Sequence, residues 1–231
     1  VLTAHGSADR RAAAVTHAVA GRIRRLRPEL DVHAAFLERS SPNLRDVLTA
    51  VAPGGVVTPM LLANGYHARF DIPAVIAASG TRARQANTLG EDAALLHVLR
   101  QRLAEAGVSA DDSDVGVIVV AVGSSNAAAN AQTASVATAL RAGTRWAGTR
   151  IAFATGPHPT LADATLRLRA AGARHIVIAP WFLAHGRITD RVAEYARAQR
   201  ISLAEPLGSH NLVAATLLDR YESALTTRIA A

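Results

Sequence analysis

The sequence predicts an α/β protein made of two similar parallel-sheet halves, and three observations carry that expectation. Half of its 231 residues are hydrophobic but only 4% are aromatic. The core must therefore be filled by Ala, Val, Leu and Ile, the mix used by parallel strands buried between helices. Short apolar runs alternate with longer alanine-rich stretches, and strand-helix alternation builds a parallel sheet. The chain also repeats itself. "VLTAHGS" at 1–7 resembles "VVAVGSS" at 119–125, which sets Gly123 over Gly6 and Ser124 over Ser7 at an offset of 117. The same offset sets "FATGPHPTL" at 153–161 over "FLERSSPNL" at 36–44. "APWFLAHG" at 179–186 follows "TPMLLANG" at an offset of 121, and "PLGSHNLVAATLLDRY" at 206–221 follows "TLGEDAALLHVLRQRL" at 118. Four blocks in one order argue for an internal duplication.

Taken in order, the first half opens on the apolar strand "VLTA" near 1–4. The polar "HGSAD" then offers Ser7 or Asp9 as a cap for an alanine-rich helix near 8–26. A strand near 32–36 ("VHAAF") and a helix near 42–51 come next, then a strand near 56–62 ("VVTPMLL") and a helix near 68–78. A strand near 83–88 and a helix near 91–105 complete the half. The second half follows suit, with strands near 115–121, 150–154, 175–180 and 200–205. The polar "SADDSD" at 109–114 reads as a linker between a domain at 1–108 and one at 115–231.

The longest apolar run, "VGVIVVAVG" at 115–123, is far short of the roughly 20 residues that span a bilayer. No membrane partner is expected, and the cytoplasm is the expected location. The sequence begins at Val1 without a methionine, which leaves room for preceding residues. Cysteine is absent, which excludes disulfides and thiolate ligation and leaves His, Asp and Glu as the strong metal ligands. The net charge of +7 is carried by arginine alone, since the chain has no lysine. Arginine suits planar, bidentate recognition of carboxylate or phosphate. The arginines are spread along the chain and no basic run is interleaved with aromatics, so no nucleic acid is expected and a small polyanion fits at least as well.

In open parallel sheets, ligands bind beyond the carboxyl ends of the strands. His5 is the first residue after the first strand, and His67 lies five residues past Leu62, the last apolar residue of the third. Both imidazoles can project into one cleft, where the pair could hold a divalent cation or move protons. Position 5 maps onto Val122, and through the local offset of 121 position 67 maps onto Ile188. The first half is therefore expected to be the working half, with one metal site per chain, while the second keeps the scaffold. Glu38, in the loop after the second strand, is a candidate third ligand or proton acceptor. Arg10, Arg11, Arg39 and Arg69 lie on or beside the same loops. His17 and His97 fall on helices and His33 and His175 at strand starts, where exposure is expected. His158, His185 and His210 fall on loops at the ligand-binding end of the second half.

With "AHGS" near the start, "FLERSSPNL", "PMLLANGYHARFDIP" and an "LG" before the last helix of the half, the sequence resembles the CbiX-type sirohydrochlorin chelatases, in the double-length form of these class II chelatases. The resemblance implies chelatase-like, flavodoxin-like α/β halves. It implies that His5 and His67 bind the metal and support its insertion into an anionic tetrapyrrole; for that chemistry Glu38 is the candidate further catalytic group, and Ser7, Arg10, Arg11, Arg39, Arg69 and Arg187 are the candidate substrate-binding residues. The metal, Fe2+ or Co2+, would be a substrate, no organic cofactor would be needed, and the product would feed siroheme or cobalamin biosynthesis. A monomer is expected, with the two halves supplying both walls of the cleft.

Two other readings stay open at the level of sequence. A non-catalytic tetrapyrrole or metal carrier on the same fold would place the same ligands. A phosphate-ester hydrolase with His5 as nucleophile could use Arg10 and Arg11, but it lacks a second arginine-histidine motif.

Overall fold

The computed structural model describes residues 1–51 and 54–226, so positions 227–231 of the expected second domain lie outside the described residues. Along the chain run β1 (Leu2–Ala4), α1 (Arg10–Leu26), β2 (Ala34–Phe36), α2 (Leu44–Ala50) and β3 (Val56–Pro59). A π-helical turn (His67–Asp71) leads into α3 (Ile72–Ala78), then β4 (Arg84–Gln85) and α4 (Ala93–Glu105). There follow β5 (Val115–Ala121), α5 (Ala127–Arg141), β6 (Gly148–Phe153) and α6 (Leu161–Ala170). The last elements are β7 (His175–Pro180), α7 (Arg187–Gln199), β8 (Ser202–Leu203) and α8 (Asn211–Thr226). All the expected strands and first-half helices form. The expected strand near 56–62 stops at Pro59 because the carbonyls of Leu61 and Leu62 turn to accept the N–H groups of Leu89 and Gly90, at 2.9 and 3.0 Å.

The strands form two parallel sheets, ordered β2-β1-β3-β4 and β6-β5-β7-β8. In the first, Leu2 pairs with Ala34 on one side and Thr58 on the other. β5, buried along its whole length, pairs with β6 and β7. Its unbroken "VGVIVVA" is what a strand covered on both faces requires. On one face of the first sheet, Leu44, Val47 and Leu48 of α2 and Ile72 of α3 close over Ala35 and Val57. The pleat alternates successive residues, so the opposite face is left for α1 and α8. In the second sheet Ala164 and Leu168 of α6, with Val192 and Ala196 of α7, cover Ile118, Val120, Ala152 and Ile178. Truncating a fully buried leucine such as Leu168 to alanine costs about 2–5 kcal/mol.

The duplication is visible in the hydrogen bonds. Asp9 accepts the N–H of Arg11 at the start of α1 as Asn126 accepts that of Ala128 at the start of α5. Of the two cap residues offered by the sequence, Asp9 is the one used. Ser7 and Ser124 likewise accept the N–H groups of Asp9 and Asn126, at 3.0 and 3.1 Å.

The compact units are cut differently from the sequence repeats. Unit 1 comprises residues 1–92 with the segment from 209 onward, and unit 2 comprises residues 93–208. The last helix of each repeat has thus been exchanged: α8 packs in unit 1 and α4 in unit 2. Equivalent arginines pin both. Arg220 of α8 donates to the carbonyls of Thr88 and Leu89 at 3.0 and 2.8 Å and pairs with Asp92 at 2.7 Å. Arg102 of α4 donates to the carbonyls of Pro206 and Leu207 at 3.1 and 3.2 Å. The "TLG" and "PLG" stretches of the sequence are the acceptors of these two side chains. Nor does the segment 109–114 hang free, since the N–H of Arg145 donates to Ala110 and the indole N–H of Trp146 to Ser109, both at 2.8 Å. His210, expected among the loops of the second half, belongs to unit 1, where its Nδ1 accepts the N–H of Leu212 at the start of α8.

Candidate active site

In unit 1 the strand order changes direction between β1 and β3, whose following connections lead to opposite faces of the sheet. A crevice opens at such a switch point, and this is where His5 and His67 stand. Two short connections place His5. The N–H groups of Leu37 and Glu38 donate to the carbonyls of Ala4 and His5, both at 3.0 Å, and extend the β1–β2 ladder past the strand ends. Gly6 makes this approach practicable: its φ is +91°, and a Cβ there would lie 1.7 Å from the Glu38 carbonyl oxygen. Gly123 makes a similarly close approach in unit 2, with φ +96° and a would-be Cβ 2.0 Å from the oxygen of Gly156, one residue past the counterpart of Glu38. The main chain thus delivers Glu38 to His5, and Glu38 Oε1 lies 3.5 Å from His5 Nε2.

His67 opens the π-helical turn, whose wide geometry closes with the N–H of Ile72 donating to the His67 carbonyl. Wide turns of this kind are frequent at functional sites. The turn brings Asp71, four residues on, to His67, with Nδ1 and Oδ2 2.5 Å apart. The rings of His5 and His67 meet edge to face, their centroids 4.0 Å apart and their planes at 88°. Both remain open to solvent, the side chains being 37% and 42% exposed.

The partners fix the tautomers. His5 Nδ1 lies 3.0 Å from the carbonyl oxygen of Gly6, which can only accept, so Nδ1 carries the proton. His67 Nδ1 faces a carboxylate and donates for the same reason. Each imidazole is thereby left with its Nε2 lone pair available, the arrangement in which a metal-ligating histidine is oriented by a carbonyl or carboxylate behind it. Among the described residues no three of His, Asp and Glu are grouped as a metal cage. The donors are two imidazoles, with carboxylates beside or behind them.

The other expected residues divide. Ser7 is fastened into the loop: Ser40 Oγ accepts its N–H at 3.0 Å and donates to its carbonyl at 2.8 Å, while its own hydroxyl accepts from Asp9. Arg10 is exposed at the first turn of α1. Arg11 pairs with Asp9 at 2.6 Å. Arg39 lies beside Glu38, with Nε 3.4 Å from Oε1. Arg69 lies on the π-helical turn, its guanidinium 5.5 Å from the Phe70 ring centroid. Arg187 is exposed at the first residue of α7 in unit 2.

Three neighbours escaped the sequence reading. Asp71 stands at the i+4 spacing from His67, a signal present in "HARFD". Tyr66 and Phe70 flank the histidine with rings 4.9 Å apart and tilted by 35°, and they are 68% and 51% exposed. Large exposed aromatics beside a polar pair are a signal for a ligand surface.

Unit 2 carries the frame without the histidine pair. The N–H of Thr155 donates to the Val122 carbonyl at 3.0 Å as that of Glu38 does to His5. Asp190 donates to Gly186 at 2.9 Å as Arg69 does to Gly65 at 3.1 Å. In these registers Val122, Thr155, Ile188 and Val192 occupy the places of His5, Glu38, His67 and Asp71. The histidines of the second repeat are paired elsewhere: His158 with Asp163 and His185 with Glu205, each at 2.8 Å.

Known proteins resemble this chain over most of its length. A sirohydrochlorin cobaltochelatase of Priestia megaterium is 27% identical over 212 residues, 84% of this chain and 69% of the relative. A sirohydrochlorin ferrochelatase of the same organism is 25% identical over 223 residues, 89% and 84% of the two chains. In fold, the chain is similar to SirB from Bacillus subtilis with Fe3+, with a TM-score of 0.78 at 18% identity over 99% of this chain and 97% of that one. The sequence model of the CbiX family matches residues 1–106 and again 116–224. With both repeats matched over nearly their whole length, the chain belongs to the CbiX family.

Proposed function

We propose that this chain is a sirohydrochlorin chelatase, inserting a divalent metal ion, ferrous or cobaltous, into sirohydrochlorin for siroheme or cobalamin synthesis. It would act in the cytoplasm as a monomer and need no organic cofactor. The observation that carries this reading is the pair of imidazoles in contact at the switch point, each with Nδ1 tied to an oxygen acceptor and Nε2 left available. Family membership and the names of the two curated relatives support it.

Insertion takes a hydrated dication and a macrocycle with two pyrrole N–H groups, and gives the metallated ring, two protons and released water. Borderline nitrogen donors suit ferrous and cobaltous ions. Two open imidazoles hold the metal less firmly than a closed cage would, so the ion can pass on to the ring nitrogens. Glu38, 3.5 Å from His5 Nε2, is placed to accept a pyrrole proton once His5 is engaged. Arg10, Arg39 and Arg69 offer guanidinium groups to the acidic side chains of the ring, and Tyr66 and Phe70 offer it an apolar face. Arg11, already paired with Asp9, and Ser7, whose hydroxyl is used in the loop, have weaker claims.

A stopped-flow absorbance assay with sirohydrochlorin and cobaltous or ferrous ion tests the proposal. Catalysed insertion above the spontaneous rate is expected. Binding of the macrocycle without acceleration would instead establish a carrier.

A further inference from the structure

We infer that Arg39 is a substrate-carboxylate clamp, kept at a backbone position built for glycine; the assignment rests on the chelatase reading above. Arg39 has φ +58°, a conformation that L residues other than Asn and Asp seldom adopt. The N–H of Ser40 donates to the Glu38 carbonyl at 2.7 Å across it, closing the rare, strained three-residue turn with positive φ. The duplicated unit supplies the comparison. Its loop shares two flanking bonds, the N–H of Phe153 donating to Pro159 as that of Phe36 does to Pro42 and that of Thr155 to Val122 as that of Glu38 does to His5, but Pro157 stands in the place of Ser40 and has no N–H to close the turn. In this register of 117 the residue matching Arg39 is Gly156, with φ +89°.

Both positions have positive φ, but unit 2 fills its own with glycine while unit 1 keeps a long cationic side chain there. The fold makes little use of that side chain. Arg39 is 61% exposed, and its ion pair is to the neighbouring Glu38 at 3.4 Å. That pair sets a planar two-toothed donor beside the carboxylate that faces His5 Nε2. A guanidinium so placed suits a carboxylate bidentately, and the polycarboxylate macrocycle brings one to the rim of the histidine pair. A strained residue held beside a site points to a function for its side chain.

The test uses a substitution that improves the backbone while removing the side chain. Arg39→Gly should leave the melting temperature unchanged or raise it, while the KM for sirohydrochlorin rises about tenfold and kcat stays within about twofold. Arg39→Ala should give the same KM without the gain in stability, and Arg39→Lys should recover part of the loss. The difference from wild type should shrink at high salt, which a purely structural role would not produce. Metal-free titration of sirohydrochlorin, followed by absorbance, separates this inference from the chelatase reading. Wild type that binds without inserting overturns the chelatase reading, and a weakening of about tenfold in Arg39→Gly still supports the clamp. Wild-type KM and affinity in Arg39→Gly overturn the clamp, and so does failure of wild type to bind sirohydrochlorin at all.

Discussion

Asp71 Oδ2 lies 2.5 Å from Nδ1 of His67, one turn along the same helical segment. The carboxylate fixes the ring orientation and keeps the proton on Nδ1, so that Nε2 keeps its lone pair in a ring that meets His5 edge to face. Loss of such a partner typically costs 10–100-fold in metal affinity or activity. Asp71→Ala is expected to lower cobaltous-ion affinity and insertion rate by about that factor, with Asp71→Asn intermediate. Isothermal titration and the insertion assay measure the two. Wild-type affinity in Asp71→Ala would detach the carboxylate from the site.

His5→Ala and His67→Ala should each remove most of the insertion activity, about 100-fold or more if the pair acts as a unit. Both side chains are partly exposed, so melting temperatures should shift little. Equilibrium titration should find one tight divalent site per chain, lost in the double variant and retained in His158→Ala/His185→Ala. The equivalents in unit 2 are Val122 and Ile188, which cannot ligate. Two equal tight sites, or loss only in the second double variant, would mean that unit 2 is the working one.

The exchanged helices make Arg220 and Arg102 the anchors of units whose sheets come from the other repeat. Arg220→Ala removes two hydrogen bonds to backbone carbonyls and the pair with Asp92. Losing these interactions, with the Thr88 and Leu89 carbonyls left short of a donor, should cost about 2 kcal/mol, or roughly 4–8 °C in a chain of this size. Arg102→Ala should behave likewise through Pro206 and Leu207. Thermal melts followed by circular dichroism would show it, and a shift below about 1 °C for either variant would refute the anchoring role.

Much of this was legible in the sequence, and what was not has a physical reason. His5 and His67 stood out because a parallel strand must deliver its next residues to one edge of the sheet, and the repeat set Val122 and Ile188 against them. The exchange of α4 and α8 was hidden because the two helices carry matching patterns, "LGEDAALLHVLRQRL" and "LGSHNLVAATLLDRY". Periodicity says which face of a helix is buried but not against which sheet. Asp71 sat in plain view, yet its role depends on the wide turn that swings it onto Nδ1. The conformation of Arg39 left no trace, since nothing in "ERSS" announces a positive φ without glycine or asparagine.

The acid limb of stability should carry a contribution from unit 2. The N–H of Thr160, then His158, then the Thr160 hydroxyl hold the Asp163 carboxyl down to about 2, from an ordinary value of 3.8. A carboxyl lowered by folding stabilises the native state fully above its unfolded value, and that stabilisation fades as pH falls from about 4 towards about 2. Asp163 also completes the capping box of α6. Asp163→Asn should therefore melt below wild type at pH 6, with the gap narrowing between about pH 4 and 2. A gap that stays constant across that range would show that the charge contributes nothing.

Tyr66 and Phe70 present their rings to solvent on either side of His67, 4.9 Å apart and tilted by 35°, with the Arg69 guanidinium over Phe70. The fold gains little from leaving two large rings in water, whereas a flat macrocycle brought to the histidines would cover them and recover the apolar burial. Tyr66→Ala/Phe70→Ala should leave the melting temperature within about 1–2 °C, because exposed side chains away from core and caps contribute little. The KM for sirohydrochlorin should rise about tenfold or more, in keeping with stacking worth about 1–3 kcal/mol per ring in other planar ligands. Cobaltous-ion affinity, measured without the macrocycle, should be unchanged, because neither ring donates to a metal. That split separates a surface for the ring system from a support for the histidines. Loss of metal affinity in the double variant, or an unchanged KM, would mean that the aromatic pair does not receive the macrocycle.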